Sequence, residues 1–155
     1  MSVTRINAGA RMSSAVVHGN TVYLAGLTAD DPKADVKGQT AQILAKIDKF
    51  LKEAGTDKSK ILSANIWLTD IKTWSQMNEV WDAWVSPGNA PARATVEAKL
   101  AAPGLSVEIM VQAALWAPAA TTEKGRHSPA LFFGRHCLDE NVRRRLLYTR
   151  IPERG

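Results

Sequence analysis

Two charged residues sit in segments that otherwise look like strands. In "APARATVEAKL" (residues 90–100) Arg93, Thr95 and Glu97 alternate with Ala92, Ala94, Val96 and Ala98. In "SVEIMVQAALW" (residues 106–116) Glu108 breaks an apolar run. A guanidinium stays charged and offers a planar fork of donors that fits a carboxylate bidentately. An ionised carboxylate on a central strand is costly unless it is paired or used. Together, such a cation and acid can hold a small anion and manage a water molecule beside it, chemistry that requires no strong nucleophile. The structural alternative is a salt bridge, with Arg93 paired to Glu97 or Glu108, and pattern alone does not separate the two.

Other chemistry finds less support. No G-x-G-x-x-G, P-loop, H-E-x-x-H or G-x-S-x-G string occurs, so nucleotide binding, zincin and hydrolase readings lack their usual marks. His18 stands alone beside a turn, and Ser13, Ser14 and Cys137 have no evident base partner. "DDPKAD" (30–35) resembles a solvated loop more than a metal site, and no metal or cofactor is expected. Thr95 by itself is only a good strand former.

The elements that would position Arg93 and Glu108 follow from periodicity. "SAVVH" (14–18) and "TVYLAG" (21–26) flank the turn "HGN" as a hairpin. "VKGQTAQILAKIDKFLKEAG" (36–55) places Thr40, Ile43, Leu44, Ile47, Phe50 and Leu51 on one helical stripe, with Gly55 as a stop. "KILSANIWLTD" (60–70) alternates, with Leu62, Ala64, Ile66 and Leu68 on one side. A second helix, about 72–85, carries Trp74, Met77, Trp81 and Trp84 at core spacing. Strands at 92–98 and 106–116 complete a β-β-α-β-α-β-β order. That order predicts an α+β layer with two helices on one face of a mixed sheet and a right-handed crossover. The other face is expected to carry Ile61, Trp67, Met110 and Trp116 together with Arg93 and Glu108. So large a mixed apolar surface calls for association with copies of the chain, and sites commonly form between such subunits.

Composition bounds the rest. The 155 residues are 45% hydrophobic and 23% charged, which suits one ordinary domain. No stretch approaches the roughly 18 apolar residues of a membrane span. The opening "MSVTRINAGARMSS" lacks the basic head and apolar run of a signal peptide, and a single cysteine permits no internal disulfide. A cytoplasmic location is the expectation. Of the net charge of +5, residues 119–155 contribute eight Lys/Arg against four acids, and residues 1–118 hold twelve against eleven. The chain therefore divides into a nearly neutral domain (1–118) and a basic C-terminal extension (119–155), joined by linker-like "WAPAATTEKG". The neutral body argues against nucleic acid as the partner.

"TVYLAG", "MNEVWDAW" (77–84), "APARATVEAKL" and "VEIMVQAAL" (107–115) resemble the reactive-intermediate imine deaminase family, also called the YjgF-like group. The resemblance covers residues 3–116, and "PAR" followed by "VEI" at this interval is its most specific feature. It implies a chorismate-mutase-like fold assembled as a homotrimer with clefts between subunits. It further implies that Arg93 holds the substrate carboxylate, that the main chain at Thr95 contacts the substrate, and that Glu108 positions the attacking water. The implied substrates are reactive 2-imino and 2-enamino acids such as 2-aminoacrylate and 2-iminopropanoate, disposed of as 2-keto acids and ammonia without a cofactor. Met12, or Ser13, stands where the best-known branch has a cleft tyrosine; Trp84 is a further candidate lining residue. Loss of that tyrosine keeps a second reading open, a trimer that binds a small carboxylate without turnover.

Overall fold

A computed structural model describes residues 2–115; the expectations for Trp116 and for the 119–155 extension lie outside the described residues. The order is β1 (Val3–Ala8), β2 (Ser13–His18), β3 (Thr21–Leu24), β4 (Leu27–Thr28), α1 (Val36–Glu53), β5 (Ile61–Leu68), α2 (Trp74–Trp84), β6 (Ala92–Glu97) and β7 (Val107–Ala114). One sheet runs β1-β2-β3-β7-β5-β6, with β4 also paired to β7. The β5–β6 pair is parallel and the others antiparallel. The chain thus has the α+β architecture, two helices packed on one face of a mixed sheet.

Strand alternation and helical period meet in one core. Ala64, Ile66 and Leu68 of β5 lie opposite Val111, Ile109 and Val107 of β7, and all six are buried with Ile43, Leu44, Ile47 and Leu51 of α1 and Met77 and Trp81 of α2. Each such side chain contributes about 1.5–3 kcal/mol when fully removed from water. Helix α1 begins where Asp35 accepts a bond from Gly38 N at 2.8 Å. It ends where Gly55 takes a φ of 84°, a conformation that costs a residue without Cβ little. Gln39, fully buried on α1, ties the loops to the core: its amide donates to the carbonyls of Ala34 and Gly104 at 2.9 Å, and its Oε1 accepts from Ser106 N at 2.8 Å. The helices are linked to each other by the Lys37–Glu79 ion pair and by Trp84 Nε1 donating to Asp48 Oδ2 at 2.9 Å.

Three details differ from the sequence reading. Strands β1 and β4 exist, so four strands precede α1. A bulge between Ile61 and Ser63 shifts the β5 register; Ile61 turns into the core and Leu62 is left 53% exposed, the reverse of simple alternation. Helix α2 starts at Trp74, after a short 3-10 turn at Ile71–Thr73, and Trp74 lies outside the core that Met77 and Trp81 enter.

Candidate functional site

Register decides which way Arg93 points. In the β5–β6 ladder Arg93, Thr95 and Glu97 lie beside Ala64, Ile66 and Leu68, the residues of β5 buried under the helices. The polar set of β6 therefore shares the helix face, and Ala92, Ala94 and Val96 share the open face. Two contacts agree with this. The Arg93 guanidinium lies 5.1 Å from the ring centroid of Trp81 on α2, and Glu97 Oε2 accepts from Ile71 N at 2.9 Å. Glu108 lies opposite Thr28 on one side and Trp67 on the other, on the open face. The expectation that Arg93 and Glu108 share the open face is thus corrected: within one subunit they occupy opposite faces of the sheet, two strands apart. The inversion arises because β6 is an edge strand, where α2 offers the Trp81 ring and the 3-10 turn before it offers the Ile71 N–H instead of a sealed core.

Neither residue is neutralised locally. Among the described residues Arg93 forms no ion pair or hydrogen bond, and its partner is the Trp81 face, an attraction of about 0.5–1 kcal/mol at exposed sites. Glu108 is half-buried on a central strand, likewise without an ion pair or hydrogen bond among the described residues. The salt bridge of Arg93 to Glu97 or Glu108 does not form within the subunit. Trp81 itself is 4% exposed and rooted in the core, so the ring beneath Arg93 is a fixed platform. On the two elements framing that arginine, Asn78 Oδ1 (α2) and Thr95 Oγ1 (β6) are buried without a partner. A bound polar molecule or water would satisfy them.

The remaining candidates are dispersed. Met12, between β1 and β2, is 58% exposed, and Ser13 is half-buried opposite Ala8. Trp84 is one ring removed from Arg93: its centroid is 5.3 Å from that of Trp81, and its N–H is committed to Asp48. A surface groove of about 710 Å³ between α1 and the β2–β4 region is lined by Ser14, Leu27, Asp30, Lys46 and Phe50. A second, of about 560 Å³, follows the Lys99–Ser106 loop. Neither contains Arg93 or Glu108. Among the described residues no group of three or more His, Cys, Asp or Glu side chains is placed to hold a metal ion.

Sequence reasoning missed the second role of Trp81, hidden because its spacing also fits a core stripe. It missed Asn78, whose isolation shows only in three dimensions. It missed Gly26 as well, although a glycine closing a strand-rich run was a visible signal.

The geometry can be set beside known proteins. A profile of the family described as "Endoribonuclease L-PSP" matches residues 2–115. The RutC family protein YoaB of Escherichia coli (strain K12) is 46% identical over 115 residues, which are 74% of this chain and 100% of that protein. A RutC family protein of Haemophilus ducreyi is 42% identical over 113 residues, 73% of this chain and 97% of the relative. A crystal structure of a member of the YjgF protein family from Neisseria meningitidis superposes with a TM-score of 0.74 at 40% identity, covering 76% of this chain and 98% of that one. Near-complete coverage of the relatives, joined to the matching fold, places the chain in the endoribonuclease L-PSP family, the YjgF-like group.

Proposed function

We propose that the protein hydrolyses reactive 2-imino and 2-enamino acids to 2-keto acids and ammonia in clefts between subunits of a homotrimer. Arg93 holds the substrate carboxylate, the main chain at Thr95 contacts the substrate, and Glu108 positions and activates the water. The observation that carries this reading is the pair of unneutralised charges on opposite faces of one sheet. Only a neighbouring copy can bring a Glu108 to an Arg93, and neither of the two grooves described above encloses either residue. An exposed arginine with a fixed aromatic platform is ready for a carboxylate, and bidentate capture orients the adjoining C=N bond. An enamino acid first gains a proton at its methylene carbon and loses one from nitrogen, which gives the same C=N bond. Water adds to the C=N carbon as Glu108 takes its proton and passes it to the nitrogen, giving the carbinolamine. The carbinolamine hydroxyl then gives up its proton as C=O forms, and the same carboxylate carries that proton to the nitrogen, which leaves as ammonia. The near-neutral charge of residues 1–118 speaks against RNA as the substrate, despite the name that the family carries.

The second reading, a trimer that binds a small carboxylate without turnover, is favoured by one feature: Met12 or Ser13 stands at the place of the cleft tyrosine. Mixing separates the readings. Arg93→Ala and Glu108→Gln preparations are each expected to be inactive in ammonia release from an imine generated in situ. Unfolded and refolded together in equal amounts, they regain about a quarter of wild-type activity, because clefts with both native residues form between unlike subunits. No recovery from a mixed oligomer would refute the shared cleft, and a wild type that binds pyruvate but releases no ammonia would establish the binder.

A further inference from the structure

A glycine in a strand can serve a left-handed turn, a bulge or a close approach. Gly26 is not one of the positive-φ glycines of the described residues (Gly19, Gly55, Gly88 and Gly104), so a side chain there would not strain the main chain. It sits at a bulge. Tyr23 pairs with Gln112 and Leu27 with Ile109, so the stretch between them, with Ala25 and Gly26 in the break between β3 and β4, holds three residues where β7 holds two, Met110 and Val111. Bulges re-aim the residues they contain, and this one turns Gly26 toward Glu108. A Cβ at Gly26 would lie 2.0 Å from Glu108 Oε1, 3.0 Å from its Cδ and 3.4 Å from its Cγ. The carboxylate occupies the volume that any other residue would fill with its β-carbon.

We infer that Gly26 is the positioning residue for the Glu108 carboxylate: its missing side chain is the seat that holds the acid against the main chain between β3 and β4. The inference rests on the reading of Glu108 as the group that handles water, and it explains a local oddity. An unpaired acid on a central strand would otherwise swing freely on its rotamers; here the bulge offers it one flat resting place. Because the atoms displaced by a Cβ belong to the far end of a flexible side chain, Gly26→Ala leaves the fold intact and relocates the carboxylate.

The experiment compares wild type, Gly26→Ala, Glu108→Asp and the double variant. It measures imine hydrolysis, thermal melting, and the side-chain carboxyl resonance of Glu108 in protein labelled with 13C-glutamate. Gly26→Ala should shift the Glu108 resonance and lower kcat by about 10- to 100-fold, with KM and melting temperature close to wild type. In the Glu108→Asp background, whose carboxylate stops one methylene short of Gly26, the same substitution should add no further loss. An unmoved Glu108 resonance with unchanged kcat overturns the inference, as does an equal loss in both backgrounds. Should wild type prove inert toward imines, the hydrolase reading fails by itself, and the Glu108 resonance still decides whether Gly26 seats the acid.

Discussion

If Arg93 holds the substrate carboxylate as proposed, replacing it by alanine removes charge-assisted hydrogen bonds each worth roughly 1.5–3 kcal/mol. The expected result is pyruvate or 2-oxobutanoate affinity weaker by about tenfold for each 1.4 kcal/mol lost, read by calorimetry. The fold should barely notice, since Arg93 is exposed and has no hydrogen-bond partner among the described residues. In the proposed mechanism Glu108→Gln keeps the shape and removes the base, so turnover is expected to fall by about 10²–10⁴ while keto-acid binding holds or tightens as a repulsive charge disappears. Lowered melting temperatures for both variants with unchanged ligand affinity would show instead that the two charges serve stability alone. At this scale the sequence singled out Arg93 and Glu108 as the candidates. It did not disclose their geometry, because the orientation of a residue on an edge strand depends on the neighbouring ladder and not on its own alternation.

Among the elements, the loop clamp around α1 is the most sensitive. Gln39→Ala would strand the Ser106 N–H and the carbonyls of Ala34 and Gly104 around a part-buried gap. Each buried group left unsatisfied costs about 1–3 kcal/mol, so a loss on the order of 3 kcal/mol is expected in urea unfolding. A loss below about 0.5 kcal/mol, within the range of ordinary surface changes, would show that water replaces the amide. The helices and the central strands β5 and β7 were legible in the sequence because their apolar periods are strong and long. Strand β1, "VTRINA", was not: its residues are mostly exposed at the sheet edge and leave no apolar rhythm. The β5 bulge was invisible for a related reason. Ile61 and Leu62 are equally apolar, so composition could not say which one enters the core. Gln39, polar on a buried stripe, was legible only as an exception, and its reason lies in loops far away in sequence.

For the whole molecule, the proposed assembly rests on the open face. Tyr23, Leu62 and Val96 are exposed in a single subunit, and Trp67 and Met110 are half-buried beside Glu108. The proposed trimer covers this face, giving a native mass near three times 16.9 kDa. Val96→Glu adds a charge to a residue that is 48% exposed in the isolated subunit, so it should leave the subunit folded and shift the mass by light scattering to that of one chain, with loss of activity. A wild type that stays monomeric at micromolar concentration would remove both the trimer and the shared cleft.

The place of β7 has a consequence for how the protein is made. Among the described residues it is the last strand of the sheet, yet it stands at the centre, bonded to β3, β4 and β5. Nothing synthesised earlier can close the core, because Ile43, Leu44 and Ile66 share it with Val107, Ile109 and Val111, and that part of the wall is missing until Val107–Ala114 emerges. Folding on the ribosome is therefore postponed almost to the end of the domain. The nascent chain meanwhile carries an unfinished sheet with its apolar residues open to solvent, the condition in which chains aggregate or engage chaperones. A chain arrested before residue 107 should be degraded readily by protease while still tethered, and one arrested well beyond residue 115 should resist.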